Sequence, residues 1–245
     1  ADKSPGTARK YAERLAHFAG WLVTYDGAQL DKLTLAAYRR ALVAEGKAAS
    51  TINGHLVAVR AVIREAADMG LMDDRTAERA AAVKGVKEHG ERAGNGLEQD
   101  EAQALLDAPD KKTVRGKRDR AILALLLFCG LRRQELASLT IGDLQMREGH
   151  HVIADMLGKG GRVRTIKLPV AVWRAVDAWL TASDRNREPA ALLFVAMRRG
   201  DRLAQGASLT AQAIYKLVNE YGAAIGRPEL APHDLRRTMA KLART

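Results

Sequence analysis

The sequence predicts a mainly α-helical protein with a small antiparallel sheet. Apolar residues recur at helical spacing through most of the chain. The segment HHVIADMLGKGGRVRTIKLP instead predicts two strands around a glycine-rich turn, with Val152 and Ile153 before the turn and Val163 and Ile166 after it. Hydrophobic residues make up 47% of the 245 residues, which indicates a folded chain rather than a disordered one.

Residues 1–84 are expected to form a first domain made of helices. The first helix has its apolar residues at i, i+4, i+7 and i+11, and Ser4 or Thr7 is the candidate cap. A second helix follows, for which Thr34 is the candidate cap.

The third helix is predicted over STINGHLVAVRAVIREAADMG, with Ser50 as a candidate cap and Gly70 as a stop signal. Its apolar stripe repeats at helical spacing, and Asn53, Arg60 and Arg64 line up on a neighbouring face. Such a polar and cationic row suits contact with a DNA backbone, although an ordinary solvated helix face has the same pattern.

A charged stretch rich in alanine and glycine loses apolar periodicity, which predicts a linker over residues 85–96. Residues 97–245 are expected to form a second domain, in which helices surround the two strands. The helices are predicted over LEQDEAQALLDA, RDRAILALLLFCG, RRQELASL, VAVWRAVDAWL, TAQAIYKLVNEYG and HDLRRTMAKLART.

The charge balance indicates a polyanionic partner, most often nucleic acid. The chain has 40 Lys and Arg against 29 Asp and Glu, a net charge of +11 and a pI near 10.0. Aromatic residues are only 4%, which argues against reading single strands by base stacking. A basic soluble enzyme with no nucleic-acid partner is the alternative.

Cysteine and histidine usage predicts a cytoplasmic protein without a metal or another cofactor. Cys129 is the single cysteine, so no internal disulfide can form, and it follows an apolar run that predicts burial. No signal peptide or membrane span is expected. His150 and His151 are adjacent and would point to opposite faces of a strand, which makes a poor chelate and predicts structural roles.

The first of three cationic motifs is GLRRQEL. Gly130 is predicted to end one helix, and Arg132 opens the next, three residues before Glu135. A guanidinium can bind two phosphate oxygens, and the free N–H groups of a helix start also favour an anion. A weak surface ion pair is the alternative reading.

The second motif is GKGG at residues 158–161. Its glycines suit a tight hairpin turn, which is a sufficient structural explanation. However, Lys159 lies at the tip near Arg162, Arg164 and Lys167. A protonated lysine there could reach a DNA groove and donate a proton to a leaving alkoxide.

The third motif is PHDLRRT, in which His233 and Arg236 lie at i, i+3 and share a helix face. An imidazole beside a guanidinium suits a phosphoryl group that must be bound and have its protons managed. Taken alone, an H-x-x-R pattern is a weak signal.

In their order, GLRRQEL, the GKGGRVR hairpin before a proline, and PHDLRRT strongly resemble the tyrosine recombinase family, the phage-integrase and Xer-like enzymes. STINGHLVAVRAVIREAADMGLM is similar to the helical core-binding domain of that family. The resemblance implies an N-terminal SAM-like core-binding domain followed by an α+β catalytic domain.

The resemblance also implies a role for each motif residue. Arg132 corresponds to the first catalytic arginine, Glu135 to the acidic residue that supports it, and Lys159 to the general acid. His233 and Arg236 correspond to the H-x-x-R box. In the family, a tyrosine attacks the scissile phosphate of duplex DNA and leaves a 3′-phosphotyrosyl bond and a free 5′-hydroxyl, without a metal or ATP.

Further contacts to DNA are expected from polar and basic side chains of both domains. The family often has an arginine where this chain has Gly54 or His55, so contacts of the third helix are less securely implied. The expected DNA-binding residues are Lys47, Ser50, Thr51, Asn53, Arg60, Arg64, Arg162, Arg164 and Arg237.

The nucleophile is not assigned within these residues, because the family places its tyrosine after the H-x-x-R box. Tyr215 and Tyr221 precede the box and are expected to pack. We therefore expect a longer recombinase whose catalytic domain is incomplete at its C-terminal end here. The 245 residues alone are expected to be inactive and monomeric, and the full-length protein to form a homotetramer on DNA.

Two other functions fit the same motifs. One is a non-catalytic DNA-binding protein on the same scaffold, which would be expected to lose some of the catalytic side chains. The other is a type IB topoisomerase-like enzyme that relaxes DNA without synapsis. The sequence does not distinguish phage integration, transposon movement and resolution of chromosome dimers.

Overall fold

The structure, a computed structural model, describes residues 5–25, 29–87, 96–158, 161–184, 188–198 and 201–242. The chain divides into two compact units, Ala1–Glu91 and Arg92–Thr245. Helices dominate the described residues of both units, and the strands form small antiparallel sheets, which confirms the predicted fold class.

The first unit contains the helices α1 (Pro5–Thr24), α2 (Lys32–Ala44), α3 (Ala49–Asp68) and α4 (Asp74–Ala81). The apolar stripes predicted from the sequence of these helices face the core of the first unit. The largest fully buried side chains of this core are Leu35, Tyr38, Leu42, Ile52, Leu56 and Ile63.

The caps of these helices differ from those predicted. Helix α2 begins before Thr34, because Asp31 Oδ1 accepts a hydrogen bond of 2.9 Å from the Thr34 N–H. Ser50 lies exposed within α3, whose cap residue Ala48 makes no side-chain hydrogen bond. Gly70, at φ +71°, confirms the predicted end of α3, whereas Ser4 lies outside the described residues.

The second unit contains both helices and strands, and a buried core of its own. Every residue of 121–127 is buried, since this part of α6 is surrounded on all sides. The elements are α5 (Gln99–Asp107), α6 (Val114–Phe128), α7 (Arg133–Ser138), β1 (Leu144–Arg147), β2 (His150–Leu157), β3 (Val163–Lys167), α8 (Val170–Ala182), β4 (Val195–Met197), β5 (Leu203–Ser208), α9 (Ala211–Ala224) and α10 (Pro232–Leu242).

The sheets confirm the predicted hairpin and add strands to it. Strands β2 and β3 pair antiparallel, with Ile153 opposite Ile166, and β1 pairs with the other edge of β2. Strands β4 and β5 form a separate two-stranded sheet. The sequence did not predict β1, β4 or β5. Strands β1 and β4 are too short to show alternation, and LAQGAS in β5 contains no β-branched or aromatic residue.

Two sequence interpretations have direct structural counterparts. Cys129 is buried, and burial raises the pKa of its thiol to about 12. His151 stacks on Trp173 with ring centroids 3.6 Å apart, as suits a structural histidine, while the neighbouring His150 is exposed.

No helix among the described residues has the length and apolar character needed to cross a membrane.

Candidate active site

Gly130 allows the loop between α6 and α7 to pack closely against α10. Gly130 has φ +58°, and a β-carbon there would lie 2.7 Å from Met239 Sδ. The Gly130 carbonyl accepts a hydrogen bond of 2.7 Å from Arg236 Nη1. A residue without a side chain therefore lets the loop and the H-x-x-R helix meet closely.

The same loop ends at Arg132, the cap residue of α7. Its backbone N–H donates to Glu135 Oε2 over 2.8 Å, and its Nη1 donates to Glu135 Oε1 over 2.8 Å. The Glu135 side chain is only 12% exposed. The carboxylate of this pair is therefore largely buried, while the Arg132 side chain, 45% exposed, stays open to an anion from solvent.

A second arginine reaches the same carboxylate from the sheet. Arg164, on β3, donates from Nη2 to Glu135 Oε2 over 2.8 Å. Both carboxylate oxygens are therefore occupied by guanidinium groups from two different elements. Nothing local in the sequence indicated this contact, because it joins residues 29 positions apart.

The pKa shifts reflect this clustering of charge. Burial raises the pKa of the Glu135 carboxyl, but hydrogen bonds from Arg132 and the charges of Arg164 and Arg132 outweigh it, and the net pKa is lowered. The pKa of Arg236 is lowered by burial and then by the positive charges of Arg132 and Arg164. Arg132 and Arg164 thus hold one carboxylate, and the Arg236 charge lies near enough to interact with all three groups. The three guanidinium groups exceed the one carboxylate by two positive charges.

The remaining predicted catalytic residues lie as follows. Helix α10 carries His233 one turn before Arg236, and the His233 side chain is exposed. Arg237 Nη1 lies 3.5 Å from Asp234 Oδ1 on the same helix. Lys159 lies outside the described residues.

This arrangement suits a multiply charged oxyanion. Each guanidinium presents N–H groups in a planar fork that matches phosphate oxygens, and a fixed excess of positive charge stabilises negative charge that develops on them. The second unit therefore presents, on residues the structure describes, a site fitted to phosphoryl chemistry.

In the first unit, two side chains that were predicted to contact DNA instead form hydrogen bonds to the backbone of their own chain. Asn53 Nδ2 donates to the Val86 carbonyl over 2.9 Å, and the Val86 N–H donates to Asn53 Oδ1 over 2.8 Å. Arg60 Nη2 donates to the Val83 carbonyl. These side chains fix residues 83–86 on α3, so the beginning of the predicted linker is an ordered part of this unit.

The other predicted contacts on and near α3 are open to solvent. Ser50, Thr51 and Arg64 are exposed, and Lys47 Nζ lies 3.5 Å from Glu45 Oε2 on an exposed surface. In the second unit, Arg162 is exposed just before β3. These positions are accessible, and their contact with DNA stays a prediction.

One cation near α3 was missed by sequence reasoning. A β-carbon at Gly54 would lie 2.4 Å from Arg14 Nη2, so the Arg14 guanidinium of α1 fills the space over Gly54. Arg14 also contributes to lowering the pKa of the neighbouring His55, after burial and His17. Although α3 has no arginine at position 54 or 55, Arg14 of α1 therefore places a guanidinium beside this part of α3.

The two tyrosines of the second unit differ in their surroundings. The Tyr221 hydroxyl donates to Asp119 Oδ2 over 3.0 Å, and burial raises its pKa, assisted by the Asp119 charge. Tyr215 is 37% exposed, and the Arg133 guanidinium lies 5.8 Å from its ring centroid. Both have contacts that suit packing and surface roles.

Two family models match this chain, and each covers a different part of it. The phage integrase family model matches residues 95–243, and the model of the phage integrase N-terminal SAM-like domain matches residues 2–70. The chain belongs to the phage integrase family. This family membership confirms the resemblance carried by the three motifs.

Relatives of this phage integrase family member are tyrosine recombinases. XerC of Corynebacterium efficiens is 29% identical over 247 residues, which are 97% of this chain and 72% of the relative. A tyrosine recombinase of Synechococcus elongatus is 31% identical over 251 residues, 96% of this chain and 75% of the relative. The family supports site-specific DNA recombination as the class of function and a DNA recombinase as the class of enzyme.

Solved structures share the fold. The XerH site-specific recombinase bound to palindromic difH substrate has a TM-score of 0.72 and 21% identity, over 96% of this chain and 68% of that chain. The Tn1549 transposon integrase in complex with transposon right end DNA has a TM-score of 0.66 and 18% identity, over 97% and 86% respectively. These likenesses agree with the predicted pair of a SAM-like domain and a recombinase catalytic domain.

Proposed function

We propose that this chain is part of a site-specific recombinase that cuts and rejoins duplex DNA through a 3′-phosphotyrosyl intermediate. The observation that carries the proposal is the cluster of Arg132, Arg164 and Arg236, of which the first two hydrogen-bond to Glu135. A scissile phosphate is the multiply charged oxyanion that such a cluster fits.

In the proposed reaction, a tyrosine oxygen forms a bond to phosphorus while the bond from phosphorus to the 5′-oxygen breaks. Arg132 and Arg236 stabilise the charge on the non-bridging oxygens of the transition state. Lys159 supplies the proton to the departing 5′-oxygen, and His233 takes up the proton that the attacking tyrosine hydroxyl loses. The covalent intermediate retains the bond energy, so a 5′-hydroxyl can reverse the step without ATP.

We assign the attacking hydroxyl to a tyrosine outside residues 1–245. The Tyr221 hydroxyl is engaged by Asp119 in a half-buried site, and the Tyr215 ring lies against Arg133. Attack by either tyrosine would require these contacts to be given up. On this assignment, residues 1–245 alone bind DNA as a monomer without cleaving it, and the complete protein acts as a homotetramer.

Duplex DNA is the proposed partner of both units. Relatives of this fold are described in complex with difH and transposon-end DNA, and the chain has a net charge of +11. Exposed residues suited to phosphate contact lie on both units, and Arg14 adds a cation near α3. The exposed predicted contacts are Lys47, Ser50, Thr51, Arg64 and Arg162.

The test uses the protein expressed from its complete gene and duplexes selected from a random library for binding. After incubation, denaturing gels separate any covalent protein–DNA adduct, and mass spectrometry of the digested adduct locates the modified residue. A 3′-phosphotyrosyl peptide is the expected product. Specific binding without an adduct would favour the non-catalytic alternative, and relaxation of plasmids that lack the selected site would favour a topoisomerase-like enzyme.

A further inference from the structure

We propose that Arg164 is a positioning residue for DNA cleavage, which holds the Arg132 guanidinium in place through the carboxylate that the two arginines share. This inference rests on the proposed function and deepens it, because it gives Arg164 a role in the cleavage step. The sequence alone had suggested only a general DNA contact for Arg164.

The geometry distinguishes Arg164 from a free phosphate contact. Its Nη2 is committed to Glu135 Oε2 at 2.8 Å, and its side chain is 33% exposed. Arg162, two positions earlier, carries the same charge but is exposed to solvent. The two arginines therefore form a natural pair for comparison, one bound to the site and one open to solvent.

Glu135 transmits the effect of Arg164 to Arg132. Its Oε1 accepts from Arg132 Nη1, while its Oε2 accepts from the Arg132 backbone and from Arg164. A carboxylate held at both oxygens cannot rotate freely about its terminal torsion, so the direction of the Arg132 fork is fixed. Of these three contacts, the one from Arg164 does not come from Arg132 itself. Without it, the carboxylate and the Arg132 guanidinium can turn together, so the guanidinium gains freedom.

Arg164 also connects two elements that a phosphate site must keep in register. Glu135 lies on α7 and Arg164 on β3, where it pairs with Met156 of β2. Small errors in the placement of reacting groups are costly, and a misplacement of about 1 Å can reduce a rate about 100-fold. Loss of this connection should therefore affect cleavage far more than the affinity for DNA.

The experiment compares Arg164→Ala, Arg164→Lys and the matched control Arg162→Ala in the protein from its complete gene. Single-turnover cleavage of the selected duplex is measured at saturating protein, beside affinity at several salt concentrations. Arg164→Ala should cleave about 10- to 100-fold more slowly with affinity changed less than about threefold, and Arg164→Lys should regain part of the rate. Arg162→Ala should act on binding instead, with a lower affinity for the duplex and a salt slope less negative by about 1.

A second readout does not depend on cleavage. The carboxyl carbon of Glu135 is titrated by NMR in the 245-residue chain, where its neighbouring charges are Arg132, Arg164 and Arg236. Arg164→Ala should raise the Glu135 pKa, and Arg162→Ala should leave it unchanged.

The outcomes separate the two proposals. An unchanged Glu135 pKa in Arg164→Ala, or a rate equal to that of the wild type, would overturn the role of Arg164 while leaving the proposed function intact. If the wild-type protein forms no covalent adduct, the proposed function fails and the cleavage role of Arg164 fails with it. In that case the NMR titration still reports whether the arginines share the carboxylate.

Discussion

Glu135 illustrates how much of the site depends on a single side chain. It is 12% exposed, carries a negative charge and accepts from both Arg132 and Arg164. Removing one partner from such a partly buried charged network leaves the others with unpaired charge, which costs more than an average hydrogen bond contributes. The acidic residue in a cationic site therefore determines both its stability and the direction of its arginines.

Glu135→Gln tests the contribution of this charge to folding. The folded-state pKa of Glu135 lies below its ordinary value of 4.5, so its stabilising effect is present above about pH 4.5 and is lost as pH falls through the lower folded pKa. Urea denaturation should show wild type more stable than Glu135→Gln by about 2 kcal/mol at pH 7, with a smaller difference at pH 3. A difference that does not change with pH would contradict the assigned charge state.

Gly130→Ala tests the close approach of the loop to α10. An added β-carbon would combine the cost of φ +58° with a contact of 2.7 Å to Met239 Sδ. We expect a loss of about 2–4 kcal/mol in unfolding free energy, together with slower DNA cleavage because Arg236 shifts with the loop. Gly149→Ala is the control, since Gly149 has φ +74° and no heavy atom within 4 Å of its β-carbon position. Equal losses in the two variants would show that the contact with α10 has no effect.

At the scale of elements, the helices were predictable and their ends were less so. Long amphipathic patterns predicted α1, α3, α8 and α9, because most of the stability of a helix comes from burying its apolar stripe. The apolar run AILALLLF predicted α6, which is buried on all sides. The caps of α2 and α3 were mispredicted, because Asp31 competes with Thr34 for the same helix start and α3 begins without a side-chain cap. The short helix α4 and strands β1, β4 and β5 depend on tertiary packing that a local pattern does not contain.

Asn53→Ala tests the attachment of residues 83–86 to α3. The two hydrogen bonds between Asn53 and Val86 should contribute about 1–3 kcal/mol locally. Hydrogen exchange measured by mass spectrometry should therefore become faster in peptides covering 83–87, whereas the control Thr51→Ala, on the exposed face of α3, should leave it unchanged. Unaltered exchange in Asn53→Ala would mean that these bonds do not hold the segment.

For the whole molecule, the sequence predicted the family, which the family models confirm, while the domain bounds and the roles of the site residues stay predictions. The boundary after Glu91 falls within the predicted linker 85–96, and Arg132, Glu135 and Arg236 lie in one cluster. The sharing of Glu135 with Arg164 and the position of Arg14 over Gly54 could not be predicted. Both depend on contacts between distant elements, and no motif at a fixed spacing records them.

From the net charge of +11 we predict how the binding of the whole molecule to DNA depends on salt. Binding to duplex DNA should weaken as salt rises, because each phosphate contact releases condensed counterions. If about four phosphates are contacted, affinity should fall about 100-fold between 50 and 200 mM salt, as measured by fluorescence anisotropy of a labelled duplex. An affinity independent of salt would contradict binding through the exposed cations of the two units.

We propose that the arginine cluster beside Glu135 performs the phosphoryl chemistry of a DNA recombinase. The most direct test of this proposal measures covalent adduct formation and DNA affinity together for wild type, Arg132→Ala and Arg236→Ala, using the protein from its complete gene. Each variant should form the adduct at least about 100-fold more slowly than wild type, while its affinity for DNA changes less than about tenfold. Adduct formation at the wild-type rate, or a loss of binding as large as the loss of cleavage, would contradict the proposal.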